Sequence, residues 1–302
     1  MSMTLRQLEV VRAVCRHGSV TAAASALNVS QPAISMMLRE CALITGFPLF
    51  LRRQGRLQPT AETRALLTEL DRVFEGVERI GRLVHDMRDT GIGSVQIAAT
   101  PTLADHLVPP AVAAFRLARP RIQVAIRTMD NLSVVECVME ERVDFGLVLT
   151  PLGQPDARLV TLCTGALICV VPVEHPLAAR GAVHVRDLAP FPLISFSRSL
   201  PLGDLVEAAF REAGVPRRIG LEVNQSSLAC ALVRAGAGVA VVDPFMLMDP
   251  ERRDVVALKL LPVTTVSAQV LIPRTATLAR PAALLLATIR RTALAAERAI
   301  AF

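Results

Sequence analysis

The sequence predicts an α/β protein built in three parts, and three patterns indicate it. Short helical patterns and a basic, strand-like stretch occupy residues 1–60, and an apolar heptad repeat occupies residues 61–92. Strand-like and helix-like segments alternate over residues 93–302, which is typical of α/β packing. Because the later part of this alternation repeats the style of the earlier part, we expect two lobes. Lobe I is predicted from residues 93–163 and 268–302, and lobe II from residues 164–267.

Composition and charge favour a globular protein with a polyanionic partner. Of the 302 residues, 52% are hydrophobic and 20% are charged, which fits about two globular domains. The net charge is +6, and residues 1–60 contain seven arginines against two glutamates. Arginine forks match phosphate geometry. Since Tyr and Trp are absent, a platform for stacking unpaired bases is not expected, and duplex DNA is the favoured partner.

Nothing in the sequence predicts a membrane, a metal or a cofactor. The charge-free stretch Leu159–Val173 has 15 residues, whereas a bilayer requires about 20. No signal-peptide pattern opens the chain. The six cysteines form neither a C-x-x-C motif nor a metal-ligand spacing, so free thiols in a reducing cytosol are expected. We expect a cytoplasmic protein without a cofactor or a membrane partner.

The first two helical patterns begin with recognisable caps. Thr4-x-x-Gln7 is a capping box that opens a helix ending at Gly18. The apolar face of this helix is predicted to contain Leu5, Leu8, Val11 and Cys15. Ser19 or Thr21 then caps a short alanine-rich helix, whose small side chains allow another helix to approach closely.

A third helical pattern completes a helix-turn-helix. Ser30 caps this helix, and Pro32 lies in its first turn, where the missing N–H costs little. Its core-facing stripe is Ile34, Met37, Leu38 and Cys41. Its opposite face presents Gln31, Ser35, Met36 and Arg39. Two short helices joined by a tight turn, the second with a polar N-terminal face, are typical of a helix-turn-helix that reads duplex DNA.

A basic wing follows the third helix. Residues 47–51 form a short apolar strand, and a glycine turn then separates Arg52 and Arg53 from Arg56. The wing strengthens the prediction of phosphate contacts, because arginine bonds phosphate through a planar fork.

The heptad repeat predicts a long helix between the two domains. Thr60 caps this helix and Gly91 ends it. Steps of four and three residues alternate along its apolar seam: Leu66, Leu70, Val73, Val77, Ile80, Val84 and Met87. Because this spacing is typical of a coiled coil, the seam is predicted to pair with a second copy of the chain. An amphipathic helix that lies on its own domain is the alternative.

Polar residues follow the predicted strands of the C-terminal part. The strands are 95–99, 122–126, 144–149, 166–171, 193–196 and 238–242. One helix has the apolar stripe Leu107, Ala111, Ala114 and Phe115, and another covers 134–142. Ligands of open α/β sheets bind at the carboxyl ends of the strands. This rule places one set of residues on a shared rim: Thr100, Thr102, Asn131, Ser133 and Thr150. Two lobes with a cleft between them predict a small-molecule clamp.

The string GSVTAAASALNVSQPAIS, followed by GFPLFLRRQGRLQPTAE, closely resembles the N-terminal domain of LysR-type transcriptional regulators. The resemblance implies a winged helix-turn-helix that binds double-stranded promoter DNA as a homodimer or a dimer of dimers. The implied DNA-binding residues are Thr21, Ser30, Gln31, Pro32, Ala33, Ser35, Arg39, Arg52, Arg53 and Arg56. The chain departs from the usual pattern at Met36, Cys41, Ala42 and Thr45, and the fold is expected to tolerate these changes.

The C-terminal part resembles the effector domain of the same family. The strings VVECVMEERVDFGLVL and GAGVAVVDP carry this resemblance, and ALICVVPVEHPLAA with EVNQSSLACALVRAGAGVAVVDP is similar to the branch that responds to opines. The resemblance implies two periplasmic-binding-protein-like lobes with an opine or amino-acid-derived effector between them. The implied effector contacts are Thr100, Pro101, Thr102, Ser133, Thr150, Ser195, Phe196, Ser197, Asn224 and Asp243.

Two other kinds of function stay open at this point. A solute-binding sensor of the same fold would lack specific DNA binding, with Met36 and Ala42 as the cause. An enzyme would need a reactive group, and Cys169 with His175 is the nearest approach to a nucleophilic pair, so no enzyme is predicted. Arg198 is either a fork for a ligand carboxylate or a solvated loop arginine.

Overall fold

The computed structural model describes residues 2–53, 56–88, 93–149, 157–248, 254–274 and 277–300. The chain divides into two compact units, Met1–Val84 and His85–Phe302. Within the described ranges, no helix is both long enough and apolar enough to span a bilayer.

The first unit has the predicted helix-turn-helix and wing. Its helices are α1 (Leu5–His17), α2 (Val20–Ala26), α3 (Gln31–Thr45) and α4 (Ala61–Arg88). The antiparallel strands β1 (Phe50–Arg53) and β2 (Arg56–Pro59) form the wing, with Arg53 opposite Arg56. The predicted positions of the four helices are therefore close to those observed. The first strand begins at Phe50 rather than at residue 47, and the second strand of the wing was not predicted.

Caps define the first two helices as predicted, but the buried face of α1 is different. The capping box of Thr4 and Gln7 is present, and Ser19, not Thr21, caps α2 through a 3.1 Å bond from the Ala22 N–H. Leu5, predicted to be in the core, is 51% exposed. The buried residues of α1 are Val10, Val11, Ala13 and Val14. They are buried because α2 and α3 both pack against that side of the helix.

The predicted core stripe of α3 is correct. Ile34 and Cys41 are fully buried, and Met37 and Leu38 are half-buried against the same apolar clusters. Ile34 packs with Val10 and Val14 of α1, and so α3 holds a defined position relative to the first helix. Its opposite face stays in solvent.

The heptad seam of α4 divides between two environments. Leu70 is 5% exposed and packs with Val11, Cys41 and Leu49, so this part of α4 lies on its own unit, as the alternative reading predicted. Leu66 packs partly on the same cluster. Farther along, the exposed fractions are 46% for Val73, 44% for Val77 and 62% for Ile80. The side chains of Val84 and Met87 lie outside the described residues.

Lobe I of the second unit is built on a mixed five-stranded sheet with the order β4-β3-β5-β13-β6. The strands are β3 (Gly93–Ala99), β4 (Ile122–Thr128), β5 (Phe145–Leu149), β6 (Ala157–Ala166) and β13 (Thr265–Pro273). The helices are α5 (Pro101–His106), α6 (Val108–Ala118), α7 (Asn131–Met139) and α10 (Arg280–Ile300). β3 runs parallel to β4 and β5, whereas β13 runs antiparallel to β5 and β6.

Lobe II is built on a six-stranded sheet with the order β10-β9-β11-β7-β12-β8. The strands are β7 (Ile168–Pro172), β8 (Ala182–His184), β9 (Leu193–Phe196), β10 (Ile219–Val223), β11 (Val239–Val242) and β12 (Val255–Leu261). The helices are α8 (Pro201–Glu212) and α9 (Ser226–Arg234), with 3₁₀ turns at Val185–Leu188 and Pro244–Met248. The lobe boundaries were predicted at residues 163 and 268. Both residues lie inside paired strands of lobe I, because β6 and β13 remain paired as far as Ala166 opposite Thr265.

Several local predictions for lobe I need correction. Thr100 is the N-cap of α5 rather than the start of a turn, with Pro101 in the first helical position. Ala114, predicted on the buried stripe of α6, is exposed. α7 begins three residues before the predicted 134 because the Asp130 carboxylate caps it, accepting a 3.0 Å bond from the Ser133 N–H.

Candidate functional site

The N-terminal half of α3 presents a polar face without acidic residues in its first turn. Ser30 accepts a 3.4 Å bond from the Ala33 N–H, and Gln31 donates a 3.1 Å bond to the Ser35 hydroxyl. Arg39 lies exposed farther along the helix. Polar donors at a helix N-terminus and a positive charge farther along the same helix suit an anionic phosphate backbone.

The other predicted DNA-binding residues lie around this face to differing degrees. Thr21 and Pro32 are exposed, and Ala33 is half-buried. Met36, which departs from the family pattern, is also exposed. The backbones of Arg52, Arg53 and Arg56 lie in the wing, and their side chains lie outside the described residues.

An ion-pair cluster that sequence reasoning missed joins α1 to α4. The Asp71 carboxylate accepts bonds of 2.7 Å from Arg12 and 2.8 Å from Arg16. The Arg12 guanidinium also lies 4.9 Å from the ring centre of Phe74. Because Arg12 and Asp71 are 59 residues apart, no local pattern could have revealed the pair.

A cleft of about 70 Å³ lies between the two lobes of the second unit. Residues from the ends of β3 and β5 and from the starts of α5 and α7 form its lobe I wall: Thr100, Pro101, Thr102, Asp130, Asn131 and Leu149. Residues around the ends of β9, β10 and β11 form its lobe II wall: Phe196, Leu200, Pro201, Leu202, Asn224, Gln225, Ser226 and Asp243. The carboxyl-end rule for open sheets therefore located this cleft.

Six of the ten predicted effector contacts line the cleft: Thr100, Pro101, Thr102, Phe196, Asn224 and Asp243. Ser133 does not line it, because its hydroxyl bonds the capping carboxylate of Asp130. Ser195 is fully buried and does not line the cleft, and Ser197 accepts a hydrogen bond from the Ser199 hydroxyl. Thr150 lies outside the described residues.

Asp243 joins the two lobes at the base of the cleft. Its carboxylate is fully buried and accepts bonds from the Thr102 hydroxyl (3.0 Å), the Ser226 hydroxyl (2.5 Å) and the Phe245 N–H (3.1 Å). Burial raises the pKa of Asp243, and the bonds from Ser226 and Thr102 counteract only part of that effect.

Two lobe I residues shape the opposite wall. The Thr100 hydroxyl is buried and, within the described residues, has no hydrogen-bond partner. Asn131 uses both ends of its amide on Leu149, donating a 2.6 Å bond to the carbonyl and accepting a 3.0 Å bond from the N–H. Asn131 thus holds the end of β5 against α7.

Arg217, which sequence reasoning also missed, supports the lobe II rim. Its buried guanidinium lies 2.8 Å from the Glu207 carboxylate and donates to the Gly203 carbonyl (3.1 Å) and the Ser195 hydroxyl (3.3 Å). Burial lowers the pKa of Arg217, and the Glu207 charge opposes that shift. Arg198 pairs with the same Glu207 at 3.1 Å, is exposed and does not line the cleft. Of its two interpretations, this position fits the solvated arginine better than the fork for a ligand carboxylate.

The Cys169 thiol of lobe II is protonated and is therefore not a reactive nucleophile. Cys169 is fully buried, and burial raises the pKa of its thiol to about 12, so the reactive thiolate is not formed near neutral pH. His175 is half-buried and packs edge-on against Phe191. Among the described residues, no group of three His, Cys, Asp or Glu side chains could hold a metal ion.

Comparison with known proteins shows the family. Residues 5–64 match the bacterial regulatory helix-turn-helix protein family, lysR type, and residues 88–294 match the LysR substrate binding domain. The octopine catabolism/uptake operon regulatory protein OccR of Rhizobium meliloti is 34% identical over 257 residues, which cover 85% of this chain and 84% of OccR. The transcriptional activator protein LysR of Escherichia coli K12 is 32% identical over 251 residues, which cover 82% and 80% of the two chains.

A solved structure shows the same fold. Full-length CbnR in complex with its target DNA has a TM-score of 0.77 to this chain at 24% identity, over 96% of this chain and 100% of CbnR. The helix-turn-helix, the two-lobed cleft and the matches over both units lead to one conclusion. The chain belongs to the LysR family and is a DNA-binding transcriptional regulator with a C-terminal effector-binding domain.

Proposed function

We propose that this regulator binds promoter DNA as a dimer or a dimer of dimers and responds to a small metabolite held between its two lobes. The observation that carries the proposal is the cleft itself. Residues of both lobes line it, and the Thr102–Asp243 bond crosses between its walls.

DNA binding is proposed to use α3 and the wing together. Gln31, Ser35 and Arg39 would meet base edges and phosphates in the major groove, since the N-terminal part of a recognition helix enters that groove. Arg52, Arg53 and Arg56 would contact the flanking backbone, where each neutralised phosphate adds to the salt dependence of binding.

Self-association is proposed to use the outer part of the α4 seam. Val73, Val77 and Ile80 are large apolar side chains exposed in the single chain. They repeat at heptad spacing, and burying them against a second copy removes apolar surface from water. Two recognition helices about one DNA turn apart would then read a near-palindromic site.

Regulation requires that the metabolite bind two lobe arrangements with different affinity. The cleft volume of about 70 Å³ is below the roughly 300 Å³ of ordinary ligand pockets. Binding of an opine or another amino-acid derivative would therefore move the two lobes apart. That movement would change the angle between the paired DNA-binding domains. The name of OccR, an octopine catabolism regulator, favours this class of effector.

We further propose that the protein works in the cytoplasm without catalysis and without a cofactor. The six free cysteines, five of them buried, suit a reducing compartment. The protonated, buried Cys169 thiol argues against covalent catalysis at the one candidate pair.

The proposed function is tested by fluorescence anisotropy with a duplex from the upstream region of the gene and a scrambled duplex, across a salt series. The expected result is binding of the upstream duplex about 10³-fold tighter than the scrambled one. Arg39→Ala should weaken specific binding about tenfold, whereas Arg116→Ala, an equal loss of exposed charge on α6, should leave it unchanged. Equal, weak binding to both duplexes would favour a solute sensor without specific DNA recognition.

A further inference from the structure

The exposed face of α3 contains a large apolar side chain, Met36. Its exposed fraction is 59%, whereas the next residue, Met37, is half-buried against the core of the same unit. Met36 is also a position at which the chain departs from the family pattern, so the family resemblance does not explain this side chain. Single exposed apolar residues are common on protein surfaces, and the position of Met36 therefore decides whether it has a role.

Met36 lies on the side of α3 that points away from the core. Ile34 and Cys41 are buried on the opposite side. At about 3.6 residues per turn, steps of four and three residues return to nearly the same side of a helix. The exposed residues that follow these steps form one row, the outer stripe of α3: Pro32, Met36, Arg39 and Leu43.

Polar groups surround Met36 in the first half of α3. The Gln31 amide donates a 3.1 Å bond to the Ser35 hydroxyl, and Arg39 is exposed one turn after Met36. The N-terminal residues of a recognition helix contact base edges in the major groove. Because Met36 adjoins Pro32 and Arg39 on the outer stripe, a duplex bound to this half of α3 also covers Met36.

The major groove offers one apolar group to such a side chain. Guanine, cytosine and adenine expose hydrogen-bond donors and acceptors there, whereas thymine exposes a C5-methyl group beside its O4 acceptor. The methionine sulfur is a weak acceptor without a donor, so packing it on polar base edges would leave their groups unsatisfied. Contact with the thymine methyl group instead removes apolar surface of both partners from water. The unbranched, flexible side chain of methionine adapts well to such a contact.

We propose that Met36 is a specificity-determining residue that selects one thymine in each half-site by contact with its C5-methyl group. This inference rests on the proposed use of α3 in DNA binding. The departure from the family pattern then changes the preferred sequence rather than abolishing DNA binding. Leu43 does not share this role, because it lies about 10 Å farther along the helix, beyond the half that enters the groove.

The test uses the full-length protein and a pool of duplexes with a random central region. Repeated selection with the wild type gives its preferred duplex. In that duplex, each thymine is replaced in turn by deoxyuridine, which lacks only the C5-methyl group, and fluorescence anisotropy measures binding. The variants are Met36→Ala and, as the matched control on the outer stripe, Leu43→Ala. Both side chains are exposed, so both variants keep the core of the unit intact.

The expected result is one thymine in each half-site at which deoxyuridine weakens wild-type binding about fourfold, the effect of losing one buried methyl group. Met36→Ala should bind the thymine and deoxyuridine duplexes equally at that position, whereas Leu43→Ala should keep the wild-type difference. An equal loss in the wild type and in Met36→Ala would assign the methyl contact to another residue and overturn the proposal. A preferred duplex in which no thymine depends on its methyl group would overturn it as well.

Two further outcomes separate this inference from the proposed function. If selection with the wild type enriches no sequence, specific DNA binding by α3 fails and the inference fails with it. If a sequence is enriched but Met36→Ala changes only self-association in sedimentation velocity, Met36 contacts a second copy of the chain. The inference alone then fails, and the proposed DNA binding stands.

Discussion

Thr102 of lobe I donates a 3.0 Å hydrogen bond to the Asp243 carboxylate of lobe II, across 141 residues of sequence. This bond ties α5 to the end of β11 at the base of the cleft. It also supplies one of three donors to a fully buried acid. The same contact therefore affects lobe geometry, stability and the charge state of the site.

Replacing Thr102 by Val should destabilise the protein by about 1–3 kcal/mol, because a buried acceptor then loses a donor. Urea unfolding of the full chain measures the change. Thr164→Val is the matched control, since the Thr164–Ser267 bond of 2.8 Å lies on the surface. Equal, small effects of both substitutions would contradict a stabilising role for the bond between the lobes.

Asp243 should make stability depend on pH in an unusual direction for an acid. Its folded-state pKa is raised above the ordinary 3.8, so the folded state holds this proton at pH values where the unfolded chain has released it. The free energy of unfolding therefore falls as pH rises from 3.8 through the folded-state pKa. Compared with Asp243→Asn, the wild type should lose stability over that window. A difference between the two proteins that stays constant with pH would show that Asp243 does not titrate this way.

Arg217 and Arg198 share one carboxylate but should differ widely in importance. Arg217→Met removes a buried partner of Glu207 and should cost about 3 kcal/mol. Arg198→Met removes an exposed partner of the same carboxylate and should cost less than about 1 kcal/mol. Thermal and urea unfolding measure both variants. Similar losses would mean that burial of Arg217 contributes little.

Gly203 should resist substitution because of space rather than backbone conformation. A Cβ there would lie 1.8 Å from the Ser197 carbonyl oxygen, so Gly203→Ala should displace the cleft rim and cost about 1–3 kcal/mol. In Gly81→Ala on α4, nothing lies within 4 Å of the new Cβ, and stability should rise by about 0.5–1 kcal/mol. A Gly203→Ala protein with the same free energy of unfolding as the wild type would contradict the predicted clash.

A charge in the exposed seam of α4 should break the proposed dimer. Val77→Glu is expected to weaken self-association at least tenfold, since an unpaired charge in a coiled-coil seam costs more than about 1.4 kcal/mol. Sedimentation velocity at several concentrations measures it. Leu117→Glu alters a more exposed apolar residue on α6 and serves as the control. An unchanged dimer in Val77→Glu would place the interface elsewhere.

Local patterns were sufficient to predict the helices of the first unit, because their signals lie within a few residues of each other. The capping box at Thr4 and the stripe around Ile34 are both short-range features, and both are present. The face of α1 was misassigned at Leu5 because periodicity gives the spacing of apolar residues. It does not give the direction from which the neighbouring helices approach.

The sequence by itself was enough to predict the family fold, the helix-turn-helix, the edge of the sheet where the cleft lies and seven of the residues that line it. The tertiary structure decided which neighbours each side chain meets. It placed Leu70 of the α4 seam in the core of the first unit and left the later seam residues exposed. It also paired Arg198 and Arg217 with Glu207 and buried Asp243 at the cleft. The physical reason is the distance along the sequence between the residues that interact. Caps and stripes depend on residues three or four positions apart, whereas burial and charge pairing depend on partners that the fold brings together from distant parts of the chain.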